Sequence, residues 1–310
     1  MEKSPLVSVI CLCYNQAQFV TESLESIKNQ SYKNFEVLIC DDSSKDNSVE
    51  VVDSWIKSNP HIPTTFIKHK ENKGITKSLN ELLNLSTGKY IQLIALDDLL
   101  MPDKFERHVA MLENAPENYT MVFSDAHLID QNSDLYQNKF LARHLSYLSL
   151  KSQNYHKMLL DKNFLPAMSV LMKREHLVKE NEFDENMSCE DHDMWLRLSK
   201  RYDFLFDETT SCSYRLHPNN SHKQKTVMNE ATYFNTMIKH KENPLAKNKI
   251  FEHLESIYLM KALKDEHKIY YSYFPVATFP ENCIKYNLKP IFYRLALALS
   301  KTWSFIKSPY

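Results

Sequence analysis

Short apolar runs alternate with amphipathic stretches along this chain, and each run stops at polar residues. Leu6 to Cys13 has the length and β-branched content of a buried strand and ends at Tyr14-Asn15. Phe19, Leu24 and Ile27 mark one face of a helix running to about Gln30. Phe35 to Cys40 predicts a second strand, closed by Asp41-Asp42, and Val49, Val52, Trp55 and Ile56 carry the next helix. Thr64 to Lys68 predicts a third strand, Glu71-Asn72-Lys73-Gly74 a turn, and Ile75, Leu79, Leu82 and Leu83 a third helix. Tyr90 to Leu96 predicts a fourth strand that stops abruptly at Asp97-Asp98. Pro102 then suits the first turn of a helix continued by Asp103, Phe105, His108, Val109 and Leu112.

Strands alternating with helices imply parallel βαβ units. Right-handed crossovers place the ends of strands one, two and four on one edge of the sheet, where open α/β folds bind ligands. Tyr14, Asp42 and Asp97 converge there although they are distant in sequence. Read alone, Asp97 and Asp98 serve equally well as a helix cap or a solvated turn.

Further along, Met121 to Asp125 predicts a fifth strand, residues 131–150 a polar loop over the site, and Ala167 to Met172 another strand. A loop from Phe183 to Cys189 leads into a helix beginning Glu190-Asp191-His192-Asp193-Met194-Trp195, whose early acids suit the helix dipole. Trp195 reads as helix core. Ser211 to Arg215 predicts a short strand before Leu216-His217-Pro218. Beyond about residue 224 the stretches 226–241 and 247–266 read as helices with scattered charge. Residues 289–307 are apolar, aromatic and flanked by lysines, and too interrupted to span a bilayer. They predict a helix docked on its own domain or on a second subunit of a homo-oligomer, or lying in a membrane interface.

Charge and composition narrow the field. Lys plus Arg number 38 against 39 Asp plus Glu, so no basic field exists to attract nucleic acid. The six cysteines show no CxxC spacing and read as small buried hydrophobes in a reducing compartment. The N-terminus lacks an apolar signal core, and no apolar run reaches about 18 residues, so a cytoplasmic protein is expected. Only Gly74 and Gly88 are present among the glycines. Walker A loops and dinucleotide fingerprints need several glycines for close approach to phosphate, and both are excluded. A bound nucleotide would need its phosphates neutralised by a metal ion or by side chains.

Val7-Ser8-Val9-Ile10 with Tyr14-Asn15, Asp41-Asp42-Ser43-Ser44, Asn72-Lys73-Gly74, Gly88-Lys89-Tyr90-Ile91, Asp97-Asp98 with Pro102-Asp103-Lys104, and Glu190-Asp191 with Trp195-Leu196-Arg197-Leu198 resemble glycosyltransferase family two. The resemblance covers about residues 5–222, in order. It implies an α/β fold of GT-A type, with a mostly parallel, Rossmann-like sheet flanked by helices and a helical C-terminal appendage. Residues 1–125 would be the nucleotide-binding half and 126–223 the acceptor-binding half of a catalytic domain spanning 1–223. Residues 224–310 would be the appendage. The implied reaction moves a sugar, with inversion, from a nucleotide-diphosphate donor, expected to be a UDP-sugar, to a glycan or lipid-linked glycan acceptor in surface polysaccharide biosynthesis.

Position by position, the resemblance implies that Tyr14 flanks the nucleobase, Asp42 hydrogen-bonds it, and Asn72 and Lys73 line the nucleotide side. Asp97 holds the last place of an Asp-x-Asp motif and would bind Mn²⁺ or Mg²⁺. Asp191 matches the catalytic base, with Asp193 the nearby residue to be told apart from it. His217 resembles a late histidine that completes the metal shell in some members. The pattern departs at Ala95, where the motif's first acid is absent and Asp98 is the substitute at hand, and at Leu79-Asn80, where the family has Arg-Asn. Two alternatives stay open on the residues: a sugar nucleotidyltransferase, or a degenerate scaffold that binds sugar nucleotide without turnover.

Overall fold

The apolar runs become strands because both of their faces are covered. The computed structural model describes residues 4–143, 150, 154–187, 190–220 and 227–255. In chain order β1 (Val7–Cys13), α1 (Ala17–Lys28), β2 (Phe35–Asp41), α2 (Ser48–Ser58), β3 (Thr64–Lys68), α3 (Ile75–Leu85) and β4 (Tyr90–Ala95) alternate as the pattern predicts. β1 pairs in parallel with β2 on one side and with β4 on the other, and β3 extends the sheet beyond β2. Helix α1 turns Phe19, Val20, Leu24 and Ile27 to the core. Burial on both sides explains why β1 reads as a continuous apolar run rather than an alternating one.

Each glycine has its own local demand. Gly74 starts α3 with φ of 89°, a left-handed conformation that a side chain disfavours. Gly88 lies so close to the start of β1 that a Cβ would meet Ser8 Oγ at 2.6 Å and Leu6 O at 2.8 Å. A larger residue there would push β4 away from β1.

The second half of the sheet mixes parallel and antiparallel pairing within the mostly parallel arrangement. It contains β5 (Leu99–Leu100), β6 (Tyr119–Ile129), β7 (Leu171–Lys173) and β8 (Asp203–Arg215), with α4 (Lys104–Glu113) between β5 and β6. The eight strands are ordered β3-β2-β1-β4-β7-β6-β8-β5. β7 is antiparallel to both β4 and β6, β5 is antiparallel to β8, and β6 and β8 run parallel. The strand expected over Ala167 to Met172 is divided. Pro166 opens a 3-10 turn over Ala167–Ser169, and the ladder with β4 begins only at Leu171. The Gln92 side chain fills the gap by donating to Met168 O at 2.8 Å. The strands expected at 121–125 and 211–215 are parts of longer ones. Register shifts and polar residues such as Asp125, Asp207 and Thr210 break up the apolar pattern of β6 and β8.

Around this sheet lie α5 (Tyr155–Asp161), α6 (Arg174–Lys179) and α7 (Glu190–Ser199). Trp195 is fully buried, as a core residue of α7. Cys11, Cys13, Cys40 and Cys212 are buried free thiols, while Cys189 and Cys283 lie outside the described residues. The chain divides into two compact units, Met1–Lys223 and Gln224–Tyr310. The second contains α8 (Val227–Lys239) and α9 (Pro244–Glu255), which bury Phe234, Met237, Ala246 and Ile250. Residues 256–266 of the expected last helix and the apolar segment 289–307 lie outside the described residues. Among those described, no helix is long and apolar enough to cross a membrane.

Candidate active site

Strand register sets the geometry of the sheet's carboxyl edge. Cys13 pairs with Asp41, and Leu12 with Ala95. The Asp42 N–H donates to Cys13 O, and the Leu96 N–H to Leu12 O, both at 2.9 Å. Asp42 and Asp97 therefore emerge on either side of the end of β1, beside Tyr14, which is 47% exposed.

The turns after β1 and β2 are knitted together. Asn15 and Ser43 both take left-handed backbone conformations, with φ of 54° and 68°. The Asn15 N–H donates to Ser44 Oγ at 2.8 Å, and the Lys45 N–H to Asn15 Oδ1 at 2.7 Å. Asp41 closes its own turn by accepting from the Ser44 N–H and hydroxyl, at 2.9 and 2.6 Å. Its neighbour Asp42 faces the turn before α3. Asp42 Oδ1 accepts from the Lys73 N–H at 2.8 Å and Oδ2 from the Gly74 N–H at 2.9 Å, while Asn72 Nδ2 donates to the Asp42 carbonyl at 3.1 Å. Lys73 thus meets Asp42 through its backbone, and its ammonium pairs with Glu81 at 3.2 Å. His69, to which the sequence pattern gave no role, bridges the two acids. Its Nδ1 lies 2.8 Å from Asp42 and its Nε2 2.9 Å from Glu81. The hydrogen bond from His69, then Lys73, holds the Glu81 carboxyl below its usual range. Only the register of β3, which puts His69 N–H on Asp41 O, could have flagged it.

A second cluster forms where β4 ends. The turn is tight, with the Asp98 N–H donating to Ala95 O at 3.0 Å. Asp97 Oδ2 lies 2.8 Å from His217 Nε2. Asp98 is 3% exposed, and its Oδ1 accepts the Arg215 N–H at 2.9 Å. Burial first, and then the charge of Asp97, push the Asp98 carboxyl well above the usual range. Arg215 anchors the whole turn. Its fully buried guanidinium donates to Asp97 O at 2.7 Å, Asp130 O at 3.1 Å, Ser133 Oγ at 2.9 Å and Glu22 Oε2 at 2.6 Å, and lies 4.7 Å over the Phe19 ring. Phe19 in turn packs against His217 with ring centroids 5.1 Å apart. Asn220 accepts the His217 N–H at 2.6 Å and donates to Arg215 O at 3.0 Å, which fixes the histidine's loop.

Among the described residues no group of three His, Cys, Asp or Glu could hold a metal ion. Asp97 and His217 form a pair with one hard oxygen and one imidazole nitrogen. That donor set suits Mn²⁺ or Mg²⁺ when a diphosphate and water supply the remaining oxygens. Asp98, the other expected ligand, directs one carboxyl oxygen, Oδ1, at the Arg215 N–H.

Asp191 opens α7. Its Oδ1 accepts the His192 N–H at 2.6 Å and its Oδ2 accepts Asn163 Nδ2 at 3.1 Å. Asp193 is fully buried and paired with Arg197 at 2.8 Å, while Arg197 also ties the carbonyls of Glu180 and Glu182. Asp193 therefore belongs to the fold, and Asp191 remains partly exposed. Burial, and then the Asp191 charge, push Glu190 up to about 8. Tyr214 feels both Asp191 and the Asp97-Asp98 turn. Burial, followed by the charges of Asp98, Asp97 and Asp191, raises its phenol far above the usual value. One hydroxyl thus lies within electrostatic reach of all three acids. The loop before α7 is tied to α3, because Asn80 donates to Phe183 O at 2.8 Å and accepts its N–H at 3.0 Å. Thr76 adds a bond to Met187 O at 2.8 Å. The same helix that begins beside Asp42 therefore holds the approach to Asp191.

The profile of glycosyl transferase family 2 matches residues 8–179. An uncharacterised glycosyltransferase of Methanocaldococcus jannaschii is 27% identical over 233 residues, which is 74% of this chain and 77% of that protein. A longer one from Rickettsia bellii is 29% identical over 229 residues, 73% of this chain but 32% of its own length. Among solved structures, the mannosyltransferase PcManGT from Pyrobaculum calidifontis, in complex with GDP-Man and Mn²⁺, superposes with a TM-score of 0.61 at 17% identity, covering 98% of this chain and 81% of that one. S. aureus TarS 1-349 in complex with UDP-GlcNAc gives a TM-score of 0.62 at 15% identity, covering 86% of this chain and 79% of that one. The mostly parallel sheet flanked by helices defines an α/β protein with the GT-A fold. Within that class, the chain belongs to glycosyl transferase family 2.

Proposed function

We propose that the chain is a metal-dependent, inverting glycosyltransferase. It moves a hexosyl or N-acetylhexosaminyl group from a UDP-sugar to a glycan or lipid-linked glycan in surface polysaccharide synthesis. The observation that carries the reading is the contact between Asp97 and His217, 2.8 Å apart at the carboxyl edge of the sheet. These two residues would hold a divalent metal ion, which when bound neutralises charge on the departing diphosphate.

The chain's own residues supply the rest. Arg215 keeps the Asp97 carbonyl and the His217 loop in fixed relation. Asp42 shapes the base pocket by holding the Lys73 and Gly74 amides. A carboxylate offers about four acceptor directions. His69, Lys73 and Gly74 occupy three of those at Asp42, leaving one on Oδ2. One direction suits the single imide N–H of uracil better than the adjacent N–H and NH₂ of guanine, which supports a uridine donor. Tyr14 flanks the base, and Asn72 lines the same wall. Asp191 accepts the proton of the acceptor hydroxyl as its oxygen bonds to the anomeric carbon and the bond to the diphosphate breaks.

Thermal stabilisation by a panel of nucleotide sugars, with and without Mn²⁺, tests this reading. UDP-sugars are expected to stabilise the protein only with the metal, by about 2.7 kcal/mol at a hundredfold excess over Kd, and Asp97→Ala is expected to lose the effect. Stabilisation by nucleoside triphosphates with release of pyrophosphate would replace the reading with nucleotidyl transfer.

A further inference from the structure

Asn163 follows α5 in the segment leading to the 3-10 turn, and hydrophobic patterning gives it no role. Its Nδ2 donates to Asp191 Oδ2 at 3.1 Å. The other end of the amide, Oδ1, is buried and has no hydrogen-bond partner among the described residues. This orientation is fixed by chemistry, since only the NH₂ end of an amide can bond a carboxylate.

Asn163 differs in its partner from amides that hold the fold. Asn80 bonds both backbone groups of Phe183. Asn220 bonds Arg215 O and the His217 N–H. Gln30 bonds Ser26 O, Met101 O and the Phe105 N–H. Those side chains satisfy backbone groups at both ends, whereas Asn163 satisfies no backbone group and its one bond goes to Asp191. Gln92 Oε1 is likewise buried without a partner among the described residues, but Gln92 donates to backbone carbonyls, so what sets Asn163 apart is its target, a carboxylate.

We propose that Asn163 is the positioning residue for Asp191. The carboxylate is pinned at two points, Oδ1 by the His192 N–H and Oδ2 by Asn163, and each oxygen keeps a further acceptor direction. Held in this way, it meets the acceptor hydroxyl in one orientation. The hydroxyl proton passes to Asp191, the acceptor oxygen bonds to the anomeric carbon, and the nucleoside diphosphate leaves with the electron pair of the broken bond. This inference rests on Asp191 being the base.

Full-length wild type, Asn163→Ala, Asn163→Asp and Asp191→Asn are compared by release of nucleoside diphosphate from UDP-GlcNAc and from GDP-Man with Mn²⁺. Rates are followed from about pH 5 to about pH 9. Asn163→Ala is expected to lower kcat roughly ten- to a hundredfold with the donor KM unchanged. Asn163→Asp sets a second carboxylate beside Asp191, so the pair retains a proton to higher pH. The acid limb of its rate profile is expected to move up by about one pH unit or more. Wild-type kcat and an unshifted profile in both Asn163 variants, with Asp191→Asn inactive, would overturn the positioning role and leave the base in place. A rise in donor KM without a shifted profile would likewise overturn it, as would an equal loss of folding stability and rate. Wild-type turnover by Asp191→Asn would overturn the reading on which the proposal stands.

Discussion

Asp97 and Asp98 are consecutive, but their side chains have different surroundings. Asp97 reaches His217 across the sheet edge, and Asp98 turns inward to the Arg215 amide, where burial and the Asp97 charge favour its neutral form. Asp41 and Asp42 divide in the same manner, one closing its own turn and the other holding the α3 turn. The single backbone N–H that Asp98 accepts predicts that Asp98→Asn is tolerated, since an amide oxygen can accept the same bond. Titration with Mn²⁺ in the presence of UDP is expected to give a metal affinity within a few-fold of wild type for Asp98→Asn, and a loss of roughly a hundredfold or more for Asp97→Asn. Equal losses in both variants would make Asp98 a ligand. The acids themselves were visible in the sequence because they interrupt apolar runs. Glu22, His69, Asn163 and Arg215 were not, because each acts through a partner far along the chain. Arg215 and Glu22 are separated by 193 positions, and no local period connects them.

At the scale of elements, α4 carries a polar network behind the Asp97-Asp98 turn. Lys104 is fully buried, and its Nζ donates to Ser169 O at 2.6 Å, lies 3.2 Å from Ser211 Oγ and 3.3 Å from His108 Nδ1. Burial is the main cause that draws its ammonium down from the ordinary 10.5 to about 7. His108 is drawn down to about 3 by burial and then by Lys104, while Asp207, 3.3 Å from His108, is held at about 2. The lysine sets the sign of a pH effect. Between about 7 and 10.5 the unfolded chain binds the proton that the folded chain has released, so this group makes stability rise with pH across that window. Below about 7 both states are protonated and the penalty is constant. The buried thiols of Cys11, Cys13, Cys40 and Cys212 act oppositely above their ordinary pKa, so a variant must isolate the lysine. Urea denaturation at neutral and alkaline pH is expected to show wild type gaining a few kcal/mol relative to Lys104→Met. A stability difference independent of pH would contradict the shift. Element existence was largely legible here, since β1 to β4 and α1 to α4 follow the apolar periods. Boundaries and direction were less so. Pro166 and the Gln92 amide convert half of an expected strand into a turn, and the bulged, polar β6 and β8 conceal their length.

Across the whole molecule, three routes gather the chemistry. Parallel pairing of β1 with β2 and β4 puts Asp42 and Asp97 on one edge, a consequence that right-handed crossovers made readable beforehand. The addition of antiparallel β7, and beyond it β6 and β8, brings Arg215 and His217 back to the same edge, and its order depends on long-range pairing that one sequence does not display. Asp191 arrives by a third path, through α3 and the loop that Asn80 and Thr76 tie to it. Asn80 occupies the second place of the family's Arg-Asn pair, and its bonds to Phe183 give that place a structural use, while Leu79 is buried in the core.

The central claim is that these routes end in one pocket, with the nucleotide at Asp42, the metal at Asp97 and His217, and the acceptor at Asp191. Anomalous diffraction from crystals of the full chain with UDP and Mn²⁺ tests it most directly. A manganese peak between Asp97 and His217, with uracil against Asp42 and open space leading to Asp191, is the predicted result. A metal held elsewhere, or a nucleotide bound away from the ends of β1, β2 and β4, would contradict it.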